Sequence, residues 1–150
     1  MSAFVTAGGG FLLAVLWFDL MFDVQVLGHR DAELPESTLS SIASYYARVT
    51  TAARPMNRLI ATVMMATIAA VVVEIADGDV PSAAAWASLA LAVAPIALVA
   101  ARTVPNAVRL GARKDDALER QSALARSIFR EHVLCFASIG ALVALQLAVA

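Results

Sequence analysis

The chain has 150 residues, of which 61% are hydrophobic and 15% charged, with a formal net charge of -1. Charged residues make up about a quarter of an ordinary soluble domain, so the balance excludes that class. A single cysteine, Cys135, excludes an internal disulfide and reads as a small packing residue.

Four stretches approach or exceed the roughly 20 apolar residues needed to cross a bilayer: Ala3–Val26, Met56–Ala76, Ser82–Ala101 and His132–Val149. The expected fold is all-α: a polytopic membrane protein, one domain over residues 1–150, built as a bundle of four transmembrane helices. All eleven Lys and Arg lie in or beside the first and third connections, from Arg30 to Arg58 and from Arg102 to Arg130. The positive-inside rule then places those two loops in the cytoplasm and both termini outside, in a multi-pass protein of the inner (plasma) membrane. Topology accounts for the basic residues, so nucleic acid is not expected as a partner.

The first span opens with Ala7-Gly8-Gly9-Gly10 and ends in Trp17-Phe18-Asp19-Leu20-Met21-Phe22-Asp23. It lacks a basic n-region and a cleavage site, and reads as a retained helix instead of a signal peptide. The glycines suit close helix packing, or else they open room for a ligand. Asp19 lies within the apolar run, and an ionisable group at membrane depth marks a candidate site. Asp23, four residues on, shares its helix face.

The first connection carries its own helix. Pro35-Glu36-Ser37-Thr38 reads as a helix start, and Leu39, Ile42, Tyr45, Tyr46 and Val49 recur at helical spacing. The pattern predicts an amphipathic helix at the cytoplasmic interface, between spans one and two. Arg54-Pro55 ends it, and Pro55 suits the first turn of the next span. Glu74 lies near the outer end of that span, before the acidic turn Asp77-Gly78-Asp79-Val80-Pro81.

Pro95 falls inside the third span, where neighbours must satisfy the carbonyl it frees. Val104-Pro105-Asn106 predicts a bend at the cytoplasmic end. From Asp115 onward a helical pattern runs without a breaker into the fourth span, which predicts one helix of over thirty residues.

In this topology Asp19, Asp23, His29, Asn57, Arg58, Asn106 and His132 meet at the cytoplasmic boundary, drawn from all four spans. One reading is simple pairing of Arg with carboxylates. Another makes a His the general base and an Asp its partner. Metal or haem ligation by His29 and His132 lacks a diagnostic spacing, so no metal or cofactor is assigned.

The order of these residues resembles the anthrone-oxygenase-like family of small four-helix membrane proteins. The shared positions are Trp17 and Phe18, Asn57, Pro105 with Asn106, and His132; Leu27-Gly28 stands where the family has Met-Pro. The bacterial four-helix protoporphyrinogen oxidase also shows Trp-Phe followed by His, but has an early His in its first span where this chain has none. The first resemblance implies a cofactor-free oxygenase or oxidase of an apolar aromatic or quinone-like substrate. On that reading His132 is the base, Asp19 its electrostatic partner and Trp17 and Phe18 an aromatic wall. Asp23, His29, Asn57, Arg58 and Asn106 complete the substrate contacts. The competing expectation is a structural or accessory membrane subunit, homo-oligomeric through its small-residue faces. A transporter is disfavoured because the outer half offers few polar residues.

Overall fold

The computed structural model describes residues 1–78, 80–115 and 117–149. It is 88% helix, with no strand among the described residues. The helices are α1 (Ser2–Asp23), α2 (Glu36–Thr51), α3 (Arg54–Asp77), α4 (Ser82–Leu98), α5 (Val104–Ala112) and α6 (Leu118–Val149). A 3-10 turn, Val24–Gly28, follows α1, and a π turn, Val99–Thr103, joins α4 to α5. Helix α1 with its 3-10 turn, α3, the continuous α4–α5 unit and α6 are each long and apolar enough to cross a membrane.

Glycine is a poor helix former in water, yet two of the three glycines in α1 sit where a side chain has no room. A Cβ added at Gly9 would lie 2.6 Å from Val143 Cγ2, and one at Gly8 would strike the Thr67 hydroxyl. These positions bring α1 close to α6 and α3, so close packing is the role they serve; Gly10 faces open space. Helix α3 starts with Pro55 in its first turn and stops at Gly78, whose left-handed φ of 69° lets its N–H reach the Glu74 carbonyl at 3.1 Å. Asp79, expected in the turn that follows, lies outside the described residues.

Pro95 stands inside α4, and the carbonyl it leaves without an N–H partner is that of Leu91, four residues earlier. Ser138 of α6 donates its hydroxyl to that oxygen at 3.0 Å. The bend expected at Val104-Pro105-Asn106 is not a helix end. The Val104 N–H bonds instead to the Val99 carbonyl, five residues back, and the helix continues to Ala112. Pro105 falls in the first turn of α5, where a missing N–H costs least, and the π turn absorbs the change of register.

Helix α6 has 32 residues, roughly 48 Å at 1.5 Å per residue, and begins at Leu118 within the pattern expected from Asp115. It ties two cores together. In one half Val5, Leu12, Val71, Ala92, Ile139 and Leu142 pack from α1, α3, α4 and α6. At the basic end Val26, Leu39, Ile42, Leu110, Ala125 and Ile128 form a second core under α2.

Helix α2 buries Leu39, Ile42, Ala43 and Tyr46. It lies so close to α5 that a Cβ at Gly111 would sit 2.7 Å from the Ala47 backbone nitrogen. Polar clasps fix its approach. Arg113 bonds both oxygens of Glu36, at 2.7 and 2.8 Å, and holds that carboxyl below its usual range. The Arg126 guanidinium donates to the carbonyls of Asp31 and Ala32. The Ser122 hydroxyl accepts the Leu34 N–H at 2.9 Å.

Candidate functional site

Between the two cores the helices part around a cavity of about 350 Å³. Its body is apolar, lined by Leu12, Leu16, Ile60, Met64, Ile96 and Ile139 among others. Its polar end holds Asp19, Tyr46, Thr50, Asn57, Thr103 and His132. Pro95, Val99 and Val104 line one wall, so the proline and the π turn shape the cavity directly; π turns recur at functional sites.

His132 is the hub. It projects from α6 at the level where α1 ends and α2 crosses. Its Nδ1 lies 2.6 Å from Asp23 Oδ2, and the other carboxylate oxygen accepts the Tyr46 hydroxyl at 2.7 Å. Asp23 is 0% exposed, so these bonds replace water fully. A carboxylate that accepts from Nδ1 fixes the imidazole's orientation and leaves Nε2 free for other work. That nitrogen lies 3.9 Å from Asp19 Oδ2. Asp19 is in turn bonded by the Tyr45 hydroxyl at 2.6 Å, and the Tyr45 ring stacks on Phe22 with centroids 4.0 Å apart.

The two phenols lie on α2. Burial, reinforced by the Asp23 and Asp19 charges, pushes Tyr46 well above its ordinary 10.0. Burial and Asp19 do the same for Tyr45. Both hydroxyls therefore stay protonated and act as donors across the neutral range.

The sequence places Asp19 and Asp23 on one face, and they do share it, but their tasks differ. Asp23 orients the imidazole, while Asp19 stands off Nε2 as an electrostatic partner. Trp17 and Phe18 do not form the expected aromatic wall: they are 59% and 62% exposed and do not line the cavity. Leu12, Leu16, Asp19 and Asp23 recur at helical steps of three or four, and residues 17 and 18 fall off that face at 100° per residue. The aromatic side chain at the cavity is Tyr46.

Asn57 lines the cavity while its amide donates to the Val49 carbonyl at 2.8 Å. Arg58 is exposed and away from the cavity. His29 stays in the loop before α2, its Nε2 3.3 Å from the Thr38 hydroxyl, apart from His132. Asn106 turns to Glu131, donating to Oε1 at 3.4 Å. Three of the expected contacts therefore lie off the cavity: Asn106 of α5 joins Glu131 and Arg102, Arg58 of α3 is exposed, and His29 stays in the loop before α2.

Tyr46, Thr50 and Thr103 are the site residues missing from the sequence reading. Tyr46 carried a signal: it falls on the same helical stripe as Leu39 and Ile42, and a phenol on a buried face needs a partner for its hydroxyl. Asp19 and Asp23 approach different nitrogens of the ring instead of converging with it. Among the described residues no three His, Cys, Asp or Glu side chains form a metal-ligand set. No protein-family model matches the chain, and no curated protein or solved structure matches it.

Proposed function

We propose that this chain is a multi-pass membrane protein whose basic end faces the cytoplasm, and that its cavity binds an apolar aromatic or quinone-like molecule and oxidises it with dioxygen. The observation that carries this reading is one buried imidazole, braced by Asp23 on Nδ1, set at the polar end of an otherwise apolar cavity. A pocket of that kind suits a small flat apolar ligand with one or two polar atoms.

The chemistry follows from the arrangement. His132 Nε2 takes a proton from an activated C–H or O–H of the substrate. Asp19, 3.9 Å away, stabilises the imidazolium so formed, and Asp23 keeps the ring from turning. The substrate anion gives its electrons to dioxygen and forms a C–O bond. The imidazolium returns its proton, and loss of water converts the CH2 carbon to C=O. The resemblance to the anthrone-oxygenase-like family, carried by Trp17 and Phe18, Asn57, Pro105 with Asn106, and His132, supports the oxidative half of this scheme. Helix α2 would lie at the cytoplasmic surface, with Trp17 and Phe18 turned to lipid.

Oxygen uptake by the purified protein with a reduced tricyclic phenol tests the proposal. Uptake that falls by a factor of about 10²–10⁴ in His132→Ala is the expected result. Full turnover in that variant would remove His132 as the base.

A second reading is a structural membrane subunit, and one observation favours it: the Asp23 bonds join α1, α2 and α6 into a single brace. A brace alone tolerates joint replacement of Asp23, His132 and Tyr46 by apolar residues, whereas a site does not. Gly10 and Gly140 face open space, which suits close approach of a second copy. Native mass spectrometry from mild detergent would count the copies.

A further inference from the structure

The side on which the cavity opens bears on what can enter it. At the basic end α2 closes it: Leu39, Ile42 and Tyr46 are buried there, and the Asn57 amide ties the start of α3 to the Val49 carbonyl of α2 at 2.8 Å. At the other end the core that holds Val5, Val71 and Leu142 closes it. Of the described residues that line the cavity, three are exposed: Ala61 of α3 and Val104 and Val108 of α5. The two valines stand one helical turn apart and are 49% and 47% exposed. Their helices flank a gap, since no Cα of α3 comes within 8 Å of α5, although both helices line the cavity.

The rim of this gap is apolar. Ala61 lies seven residues into α3, about 10 Å beyond Arg54 along the axis, so the opening sits within the apolar span and not at its charged end. Exposed valine at an entrance is unfavourable in water and neutral in hydrocarbon. The space inside is limited: its 350 Å³ is near the lower end of the range for ligand pockets, about 300–1,000 Å³. That suits a ring system, and leaves a long chain outside.

We propose that the cavity fills sideways from the bilayer, between α3 and α5, and that its substrate is a ring carrying a hydrocarbon tail. The ring lies beside His132, and the tail leaves past Ala61, Val104 and Val108 into lipid. The ring rests on the oxidative reading; the mouth and the tail rest on the geometry of the opening.

A photolabel tests this without turnover. The probe is a naphthoquinone with a long saturated tail that carries a diazirine close to the ring, added to the chain in phospholipid nanodiscs. Labelling should fall around Ala61, Val104 and Val108, and excess unlabelled tailed quinone should displace it. The same ring on a short sulfonated arm should displace it at least about tenfold less well. Val108→Trp and Ala61→Trp each fill one lip from an exposed position, so they should fold and weaken labelling about tenfold. Val133→Trp, exposed on α6 away from the cavity, should leave it unchanged. Label on α2, rim label that excess quinone does not displace, equal displacement by the sulfonated ring, or indifference to both lip variants would overturn the proposal. Rim labelling in protein that shows no oxygen uptake upholds the mouth and removes only the reaction. Oxygen uptake without rim labelling keeps the reaction and overturns the mouth.

Discussion

At the basic end Asp23, His132 and Tyr46 satisfy one another, and His132 lines the cavity. At the other end Glu74, Gln146 and Ser88 lie outside that cavity and keep two oxygens unbonded. Both clusters are buried, and both draw on three helices. The difference lies in what stands beside each. The first has a cavity next to an oriented imidazole, which is how a site for chemistry is arranged. The second holds its polar atoms inside tight packing, where they join three helices. Burial of a polar group does not by itself identify a reactive centre; the space beside it and the state of its bonds do.

The sharpest way to break this contrast is to remove the braced end. Asp23→Ala leaves the Tyr46 hydroxyl and the His132 Nδ1–H unpaired in the interior. It should cost about 3–5 kcal/mol, read as a large fall in Tm. Asp23→Asn retains an acceptor for Tyr46 and should cost markedly less while still lowering turnover. If the two variants behave alike, hydrogen bonding at Asp23 does not hold the site.

Packing supplies the next test. At Gly111 an added Cβ meets Ala47 backbone atoms, which cannot swing aside. Gly111→Ala should therefore destabilise by about 1–3 kcal/mol, and it should disturb the α2 side of the cavity. The same change at Gly10, where nothing lies within 4 Å, should be far milder in the isolated chain. Equal effects would show that α2 and α5 have room to part at Gly111.

A smaller effect sits behind Pro95, where α6 meets α4. Ser138→Ala removes the donor to the Leu91 carbonyl and should cost about 1 kcal/mol. Pro95→Ala restores a backbone N–H to that carbonyl, so Ser138→Ala should cost less in the Pro95→Ala background. A double-mutant cycle with no coupling would refute this pairing.

Alkali provides the mildest probe. The folded pKa of Tyr46 and of Tyr45 is raised above the ordinary 10.0. Their contribution to stability is thus fully present below pH 10 and lost as pH rises above it. Tm should begin to fall above about pH 10, with a shallower fall in Tyr46→Phe. Glu36 runs the other way. Its folded pKa is lowered from 4.5, so the Arg113 clasp is present above that value and weakens as pH falls below it. Because the clasp is exposed, its loss should barely move Tm.

Much of this architecture is legible from residue order. Charge segregation and four apolar runs identify the long helices, and the pattern from Glu36 to Val49 marks α2. Pro55 marks the start of α3 and the unbroken run after Asp115 marks α6. These are local properties: helix periodicity, the hydrogen-bond deficit of proline and the solvation cost of charge each act within a few residues of chain. His132 and Asp19 are legible for the same reason, since a titratable group beside an apolar run is conspicuous on its own.

What local order does not decide is partnership. Whether Asp19 or Asp23 would grip His132 depends on the rotation of α1 against α6, set by where Gly8 and Gly9 admit their neighbours. Trp17 and Phe18 look like site residues by adjacency, yet helical geometry carries them off the cavity face. Tyr46 falls on the buried stripe of α2, but only the docking of α2 onto the end of α1 gives its hydroxyl Asp23 as a partner. Gln146 is one polar residue in an apolar run, and only the convergence of α3, α4 and α6 gives it Glu74 and Ser88. The sequence by itself determined which segments are helices and which side chains can titrate. The tertiary structure decided which of them touch, because side-chain contacts between helices depend on rotation and register, and those are settled by packing across the whole bundle.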